Sequence, residues 1–363
     1  MRLSRLRVFQ YRNFEEQELE LSPGTNLFVG RNGQGKTNLL EAVHFLAYGR
    51  SFRTSSPKEC VQHGRKECCV EGTAEVSGTK RELRVSIEDG SKKMFLYGKA
   101  VGIEDFVGNL QVLAFTSAHL AIVRGSPSER RAFLDRAMIT LFPGHLHALA
   151  CYGRALKQRN GLLTSLSRGE AKTDNALVES WDDQLAREGA RIVWNRHRYV
   201  QQLKETVPER IFGGESLKMH YVGAAANPAG GVEEIESELR RKLGATRGAD
   251  VRLGFTTTGP HRDELRLYIE GKALADFASA GQQRSALLSV YFAQMEIHAR
   301  TNGFYPVFLV DDVEAELDDE RLRAFLQYLG RRTQVMLTTA KESFLPPIHD
   351  EMRRFEIRAG KAA

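Results

Sequence analysis

The sequence predicts a mixed α/β fold. A sheet is built around a phosphate-binding loop, an antiparallel β subdomain lies beside it, and a mainly helical second domain is inserted. Three observations predict this. The apolar run Leu27-Phe28-Val29 leads into Gly30-Arg31-Asn32-Gly33-Gln34-Gly35-Lys36-Thr37, which fits G-x-x-x-x-G-K-[ST] at every fixed position. A helical pattern with Leu39, Val43 and Leu46 follows it. A second apolar run, Pro306-Val307-Phe308-Leu309-Val310, ends in the carboxylates Asp311-Asp312, and long helical periodicities lie between the two runs. The expected head therefore comprises residues 1–120 and 250–363, and the helical arm residues 121–249.

Taken in order, Leu3, Leu6, Val8 and Phe9 mark a first strand, and Leu19-Glu20-Leu21 a second short one before the turn Ser22-Pro23-Gly24. The phosphate loop and its helix run to about Gly49. Cys68 to Val76, Glu82 to Glu88 and Met94 to Tyr97 read as strands of a meander, punctuated by Gly78, Asp89-Gly90 and Gly98. Val112 to Phe115 is another apolar strand. Ser126-Pro127-Ser128-Glu129 carries helix-start chemistry, with proline at the first helical position and an acid in the first turn. Leu146 to Leu166 and Ala176 to Thr206 have apolar stripes and read as an antiparallel helical hairpin, followed by a helix over Val232 to Leu243. Strands over Val251 to Thr256 and Leu265 to Ile269 are expected to bracket Thr258-Gly259-Pro260-His261-Arg262-Asp263-Glu264. Ser279-Ala280-Gly281-Gln282 opens a helix carrying Leu287, Leu288, Tyr291 and Met295. After the acidic strand come Glu316-Leu317-Asp318, a helix over Glu320 to Arg331 and a final strand over Gln334 to Thr338.

Composition narrows the class. The 363 residues carry 52 Lys+Arg against 46 Asp+Glu, a net charge of +6. That modest excess favours an anionic partner, most plausibly nucleic acid. No run of eighteen apolar residues exists and the first residues lack the apolar block of a signal peptide, so a cytoplasmic protein with no membrane segment is expected. Cys60, Cys68, Cys69 and Cys151 form no C-x-x-C pair, so free thiols are expected. His145-x-His147 could be called a metal pair, but metal binding there is not expected.

The chemistry follows from residue type. Glycines let the backbone wrap an anion, and the free N–H groups of the helix start point at it with the dipole in the favourable sense. Lys36 adds a charge near the β- and γ-phosphates, and the Thr37 hydroxyl can ligand Mg²⁺. Asp311 at a strand end can hold the same ion through its shell, and Asp312 sits where a base orients the attacking water. Ser279 and Gly281 at a helix N-terminus make an anion site.

The order of these parts, with Ser279-x-Gly281-Gln282 placed just before the second acidic motif, resembles the ABC-type ATPases. Within them the match narrows to the RecF family. It rests on Phe28 to Ala42, Gly49 to Thr54, Gly125 to Asp135, Gly259 to Asp263, Ala280 to Ser285 and Asp311-Asp312. The resemblance implies an SMC-like ABC-type ATPase head and an ATP-dependent DNA-binding protein with slow, DNA-stimulated hydrolysis. ATP and Mg²⁺ would join two copies into a homodimer, with Ser279, Gly281 and Gln282 of one copy reaching the nucleotide held by Gly30–Thr37 of the other. It also implies binding to gapped DNA at junctions of single and double strands, with RecO and RecR as partners and RecA loading as the outcome.

Three departures from that pattern stand out. Many ABC ATPases have glutamate where Asp312 stands, and the shorter side chain holds water less well. Leu337-Thr338-Thr339-Ala340 lacks their histidine, leaving a threonine as substitute. Their loop glutamine has no counterpart at the end of the Val112 strand, because Gln111 begins it.

DNA contacts are expected from Arg50, Arg53, Lys58, Arg65, Lys66, Arg124, Arg130 and Arg131, with Arg154, Lys157 and Arg159 on the arm. No base-reading element is visible, so backbone and junction shape are the expected features recognised. A long-armed chromosome ATPase would need extended heptad arms, which are absent from the sequence. A transporter ATPase subunit would have a shorter helical insert, and a small-molecule kinase leaves the Ser279 helix unexplained.

Overall fold

The computed structural model describes residues 1–170, 175–209, 214–225, 228–312, 319–330, 332–340 and 352–362. Glu316-Leu317-Asp318 lies outside the described residues. The chain forms two compact units, Met1–Leu120 with Arg284–Ala363 and Ala121–Gln283. The head boundary expected at residue 250 is therefore corrected to Arg284. Segment 250–283 stays with the helical unit because its strand pairs there and because Asp263 and Glu264 take arginines from that unit.

The first unit is two sheets with a helix between them. Strands β1 (Arg2–Tyr11), β2 (Phe14–Glu20), β4 (Glu67–Val76), β5 (Thr79–Glu88), β6 (Ser91–Leu96) and β7 (Lys99–Val101) form an antiparallel sheet in the order β2-β1-β4-β5-β6-β7. The other sheet runs β15-β14-β3-β13-β12-β8, with β3 (Thr25–Val29), β8 (Val112–Phe115), β12 (Val307–Val310), β13 (Val335–Thr339) and β14 (Met352–Arg358) all parallel. Strand β15 (Lys361–Ala362) returns antiparallel on β14.

The parallel strands read as unbroken apolar runs because both faces are covered; β3, β8, β12 and β13 are buried throughout. Strand β14 was not anticipated. Its alternation of buried Phe355 and Ile357 with exposed arginines is short and sits at the end of the chain.

Helix α1 (Lys36–Tyr48) packs against strands of both sheets, so it is buried on nearly every side rather than along one stripe. Leu39, Leu40, Val43, Phe45 and Leu46 are each worth roughly 1.5–3 kcal/mol of burial. They join Leu3, Val70 and Val85 from one sheet and Leu309, Met336 and Ile357 from the other in a single core. The buried Gln334 amide ties the sheets together: its Nε2 donates to the carbonyls of Leu3 and Ser22, and its Oε1 accepts from the Leu3 amide. A short helix α2 (Ile103–Phe106) precedes β8. The four cysteines are free thiols, and burial pushes Cys68 up to about 12 and Cys69 up to about 11.

The second unit opens with α3 (Ala121–Arg124) and α4 (Pro127–Met138); Ser126 and Glu129 close a reciprocal capping box on the latter. Helices α5 (His145–Ser167) and α6 (Asn175–Thr206) pack together, and α7 (Val232–Leu253) packs on both. The expected two-helix hairpin is thus a three-helix bundle. The strand expected over Val251–Thr256 is absent, because α7 continues to Leu253 and ends on Gly254, whose φ of 75° suits a left-handed cap. Strand β9 (Leu217–Val222), not anticipated, pairs antiparallel with β10 (Glu264–Ile269), which pairs with β11 (Lys272–Ala273). Helix α8 (Leu274–Phe277) leads to α9 (Ala280–Asn302). From Arg284 onward α9 belongs to the first unit, where Tyr291 meets Phe115 and Phe308 edge-on and Phe292 stacks on Phe325; Phe325 lies on α10 (Asp319–Leu329).

Among the described residues, five of the eight non-glycine residues with positive φ (Ser77, Asp89, Tyr97, Glu270 and Ala359) stand directly before a glycine in two-residue hairpin turns. Asp312 is not one of them.

Candidate nucleotide site and basic surface

The loop between β3 and α1 is shaped by its neighbours. Gly35 has φ 116°, and a Cβ there would lie 2.7 Å from the Asn13 side chain. A Cβ on Gly30 would lie 2.4 Å from the Ile357 carbonyl oxygen on β14. Asn13 donates to the Gln34 carbonyl at 2.9 Å and accepts from Asn38 on α1 at 2.7 Å. The β14–β15 turn holds the same glutamine, through the Ala359 amide to Gln34 Oε1 and the Gly360 amide to the Gln34 carbonyl. Glu41 on α1 is fully buried and accepts both Nε and Nη2 of Arg12, at 2.9 and 2.6 Å, and the Ser51 hydroxyl. Arg12, Asn13 and Glu41 are the bracing residues that the sequence reading missed; only their spatial neighbours reveal them.

Lys36 is 4% exposed. Its ammonium is held over the loop by the carbonyls of Gly30 at 2.7 Å and Arg31 at 3.3 Å, and by Asn32 Oδ1 at 3.5 Å. The Thr37 hydroxyl lies 2.9 Å from both carboxylate oxygens of Asp311, a residue 274 positions away. The parallel register causes this meeting: β3, β13 and β12 are adjacent, so the loop after β3 and the acid after β12 emerge together at the carboxyl ends of the strands. A hydroxyl and a nearly buried carboxylate converging there form a donor set that suits a hard cation such as Mg²⁺. Among the described residues no cluster of three or more His, Cys, Asp or Glu offers another metal site.

Thr338 is fully buried; its hydroxyl donates to Asp311 Oδ1 at 2.7 Å and accepts the Asp312 amide at 2.7 Å. Gln111 is buried ahead of β8 and faces His298 and Asn302. Burial pushes His298 down to about 4.

Ser279, Gly281 and Gln282 come together at the start of α9. The Ser279 amide donates to Gln282 Oε1 at 2.8 Å and the Gln282 amide to Ser279 Oγ at 3.2 Å, a reciprocal cap. Gln282 Nε2 also donates to Glu215 at 3.0 Å. This cap lies in the second unit, whereas Gly30–Thr37, Asp311 and Asp312 lie in the first.

The basic residues divide. Arg53, Lys58 and Arg65 line one cavity of about 590 Å³ beside α1, together with Arg12 and Asn38. Arg53 donates to Asn38 at 2.8 Å. Arg50 and Lys66 are exposed. Three others are engaged inside the second unit. Arg124 donates to Gln283 at 2.6 Å, Arg130 pairs with Glu264 at 2.7 and 3.0 Å, and Arg131 donates to the Asp263 carbonyl at 2.7 Å. Arg154 and Lys157 are exposed, but Arg159 is fully buried among Asp182, Asp250 and Thr256, which corrects its reading as a surface contact.

The stretch Gly259–Asp263 also serves the second unit's interior. Arg196 donates to both oxygens of Asp135, to the Pro260 carbonyl and toward Asp263, whose carboxylate also accepts from Tyr221 and the Ala224 amide. Burial raises Asp135, and Arg196 and His145 more than offset it, leaving the group below its ordinary value. For Asp263 burial prevails over Arg196 and the group is raised. Burial pushes His261, bonded to Tyr152, down to about 4.

Residues 2–361 match the family described as the RecF/RecN/SMC N-terminal domain. The chain is 32% identical to the DNA replication and repair protein RecF of Lactococcus lactis subsp. cremoris over 99% of this chain and 98% of that one. It is 36% identical to the protein of the same description from Myxococcus xanthus, covering 95% and 92%. The solved structure of the recombination mediator protein RecF-ATP in the RecFOR pathway superposes with a TM-score of 0.91 at 29% identity, covering 99% of this chain and 96% of that one. An SMC head with an extended coiled coil from Pyrococcus furiosus, at TM-score 0.57 and 15% identity, shares the fold. The mixed α/β architecture is thus that of an ABC-like ATPase head, and the chain belongs to the RecF family.

Proposed function

We propose that this protein is an ATP-switched, DNA-binding recombination mediator that dimerises around nucleotide and turns it over slowly. The observation that carries this reading is the meeting of Thr37 with Asp311 beneath a loop whose lysine is already poised over it. Loop amides and Lys36 bind the phosphates; Thr37 and Asp311 would hold Mg²⁺, which would supply neutralising charge to the phosphates. Asp312 takes the proton of the attacking water, and its short side chain accounts for slow turnover. The Ser279 cap of a second copy completes the γ-phosphate contacts, so ATP stabilises a homodimer and hydrolysis releases it. The solved relative, a recombination mediator of the RecFOR pathway with ATP, supports ATP as the nucleotide and RecO and RecR as partners; RecA loading is the outcome proposed.

Gapped DNA at a single/double-strand junction is the proposed substrate surface. Arg53, Lys58 and Arg65 around their cavity, with exposed Arg50 and Lys66, are its first candidates, because affinity for DNA comes mainly from cations on phosphates. Among the described residues no helix is long and apolar enough to cross a membrane.

The test is ATPase activity with and without gapped DNA across protein concentration. A quadratic rise is expected for a dimeric active species, Lys36→Ala loses ATP binding and ATP-induced dimers, and Asp312→Asn retains the ATP-bound dimer without turnover. Monomers alone on gel filtration at high protein concentration with ATP would refute the clamp.

A further inference from the structure

We infer that Thr338 is a positioning residue for hydrolysis: its hydroxyl, set between the Asp311 carboxylate and the Asp312 amide, holds Asp312 in the backbone conformation from which its carboxylate is aimed. This rests on the reading of Asp312 as the group that takes the proton from water.

Three observations lead here. Asp312 has φ 46°, a left-handed conformation that costs an L-residue energy. Unlike the five hairpin residues that share it, Asp312 is followed by Val313, so no tight glycine turn accounts for it. The ladder ends just before it: Val310 pairs with Leu337 on one side and Phe115 on the other, and the Asp311 amide goes to the Phe115 carbonyl. The Asp312 amide is instead bonded by Thr338 Oγ1 at 2.7 Å.

A threonine hydroxyl has one proton to give and lone pairs to accept with. Here the proton goes to Asp311 Oδ1 at 2.7 Å, which leaves a lone pair directed at the Asp312 amide. The same Asp311 carboxylate accepts from Thr37. One chain of hydrogen bonds therefore runs from the phosphate-loop helix through Asp311 and Thr338 to the backbone of Asp312. Thr338 is fully buried in β13, and its backbone is paired with Phe28 on β3, so its hydroxyl has a fixed origin.

The test compares Thr338→Val, which keeps the shape and removes the hydroxyl, with Thr338→Ser, which keeps the hydroxyl. Steady-state ATP hydrolysis with gapped DNA gives kcat and KM, and the Asp312 amide proton shift and exchange rate are read by NMR on nucleotide-free protein. Valine should lower kcat between about tenfold and a hundredfold with KM for ATP within about twofold, as expected for a misplaced base. It should also release the Asp312 amide to faster exchange. Serine should stay within about threefold of wild type in kcat and keep the amide protected. A valine variant with wild-type kcat, an unchanged amide, or a serine variant as slow as valine overturns the inference. If valine prevents folding, Thr338→Ala is read against serine by the same criteria. Asp312→Asn is measured in parallel. If it is inert while valine is unimpaired, only this inference fails; if it turns over at the wild-type rate, the role of Asp312 fails and the inference with it.

Discussion

Replacing Arg159 tests how the second unit is held together. Its guanidinium is fully buried and donates to Asp182 at 2.7 Å, to Asp250 at 2.8 Å and to Thr256 at 2.8 Å, joining α5, α6 and the end of α7. Arg159→Met preserves apolar volume and strands two carboxylates that are at most 4% exposed. Removing one partner of a buried ion pair costs about 3–5 kcal/mol, because the remaining charge is left in a low dielectric. Arg247 still reaches Asp182 and Thr257 still donates to Asp250, which places the expected cost at the lower end, about 3 kcal/mol. For a unit of this size, spanning Ala121–Gln283, that is on the order of 10 °C in the midpoint of thermal unfolding. Differential scanning calorimetry reads it directly. Exposed Arg154→Ala and Lys157→Ala on the same helix should stay within about 0.5 kcal/mol of wild type. Adding Asp250→Asn to Arg159→Met should recover part of the loss by removing one stranded charge. A methionine variant that melts with the wild type but has lost DNA affinity would refute burial as the role of Arg159.

The triple replacement Arg53→Ala, Lys58→Ala, Arg65→Ala should weaken DNA binding and flatten the dependence of log K on log salt by up to about 3, close to 0.9 for each phosphate no longer neutralised; an unchanged slope places the DNA elsewhere. Arg130→Gln, which breaks the pair with Glu264, should instead lower stability and leave that slope alone. Acid should destabilise the fold through His261 and His298, both depressed by burial to about 4. Their unfolded values are near 6.5, so the unfolded state binds more protons between those limits. The stability they contribute is full above pH 6.5 and declines as pH falls to about 4, by on the order of 3 kcal/mol each; a flat stability profile across that window would contradict their burial in the neutral form. Gly30→Ala should abolish ATP retention, since its Cβ would meet the Ile357 carbonyl oxygen at 2.4 Å; normal nucleotide binding would show that β14 can withdraw.

Local pattern made some parts legible and hid others. The runs that became β3, β8, β12 and β13 could be read because a strand covered on both faces is apolar at every position. Strand β9 was missed because it alternates over only six residues, and the end of α7 was misread because Val251-Arg252-Leu253 alternates like a strand while continuing a helix. Arg154, Lys157 and Arg159 carry the same charge on the same helix, yet only Arg159 faces the helices packed against α5.

The phosphate loop, the acids after the second apolar strand, the helix opened by Ser279-Ala280-Gly281-Gln282 and the family are all legible along the chain, because each rests on residue types at fixed short spacing. Which of those residues meet depends on the fold. Thr37 touches Asp311 and Thr338 grips Asp312 because parallel register brings the carboxyl ends of three distant strands together. Arg130 and Arg131 spend their charge on Glu264 and the Asp263 carbonyl because their partners, more than 130 residues away, are brought beside them only when the chain folds.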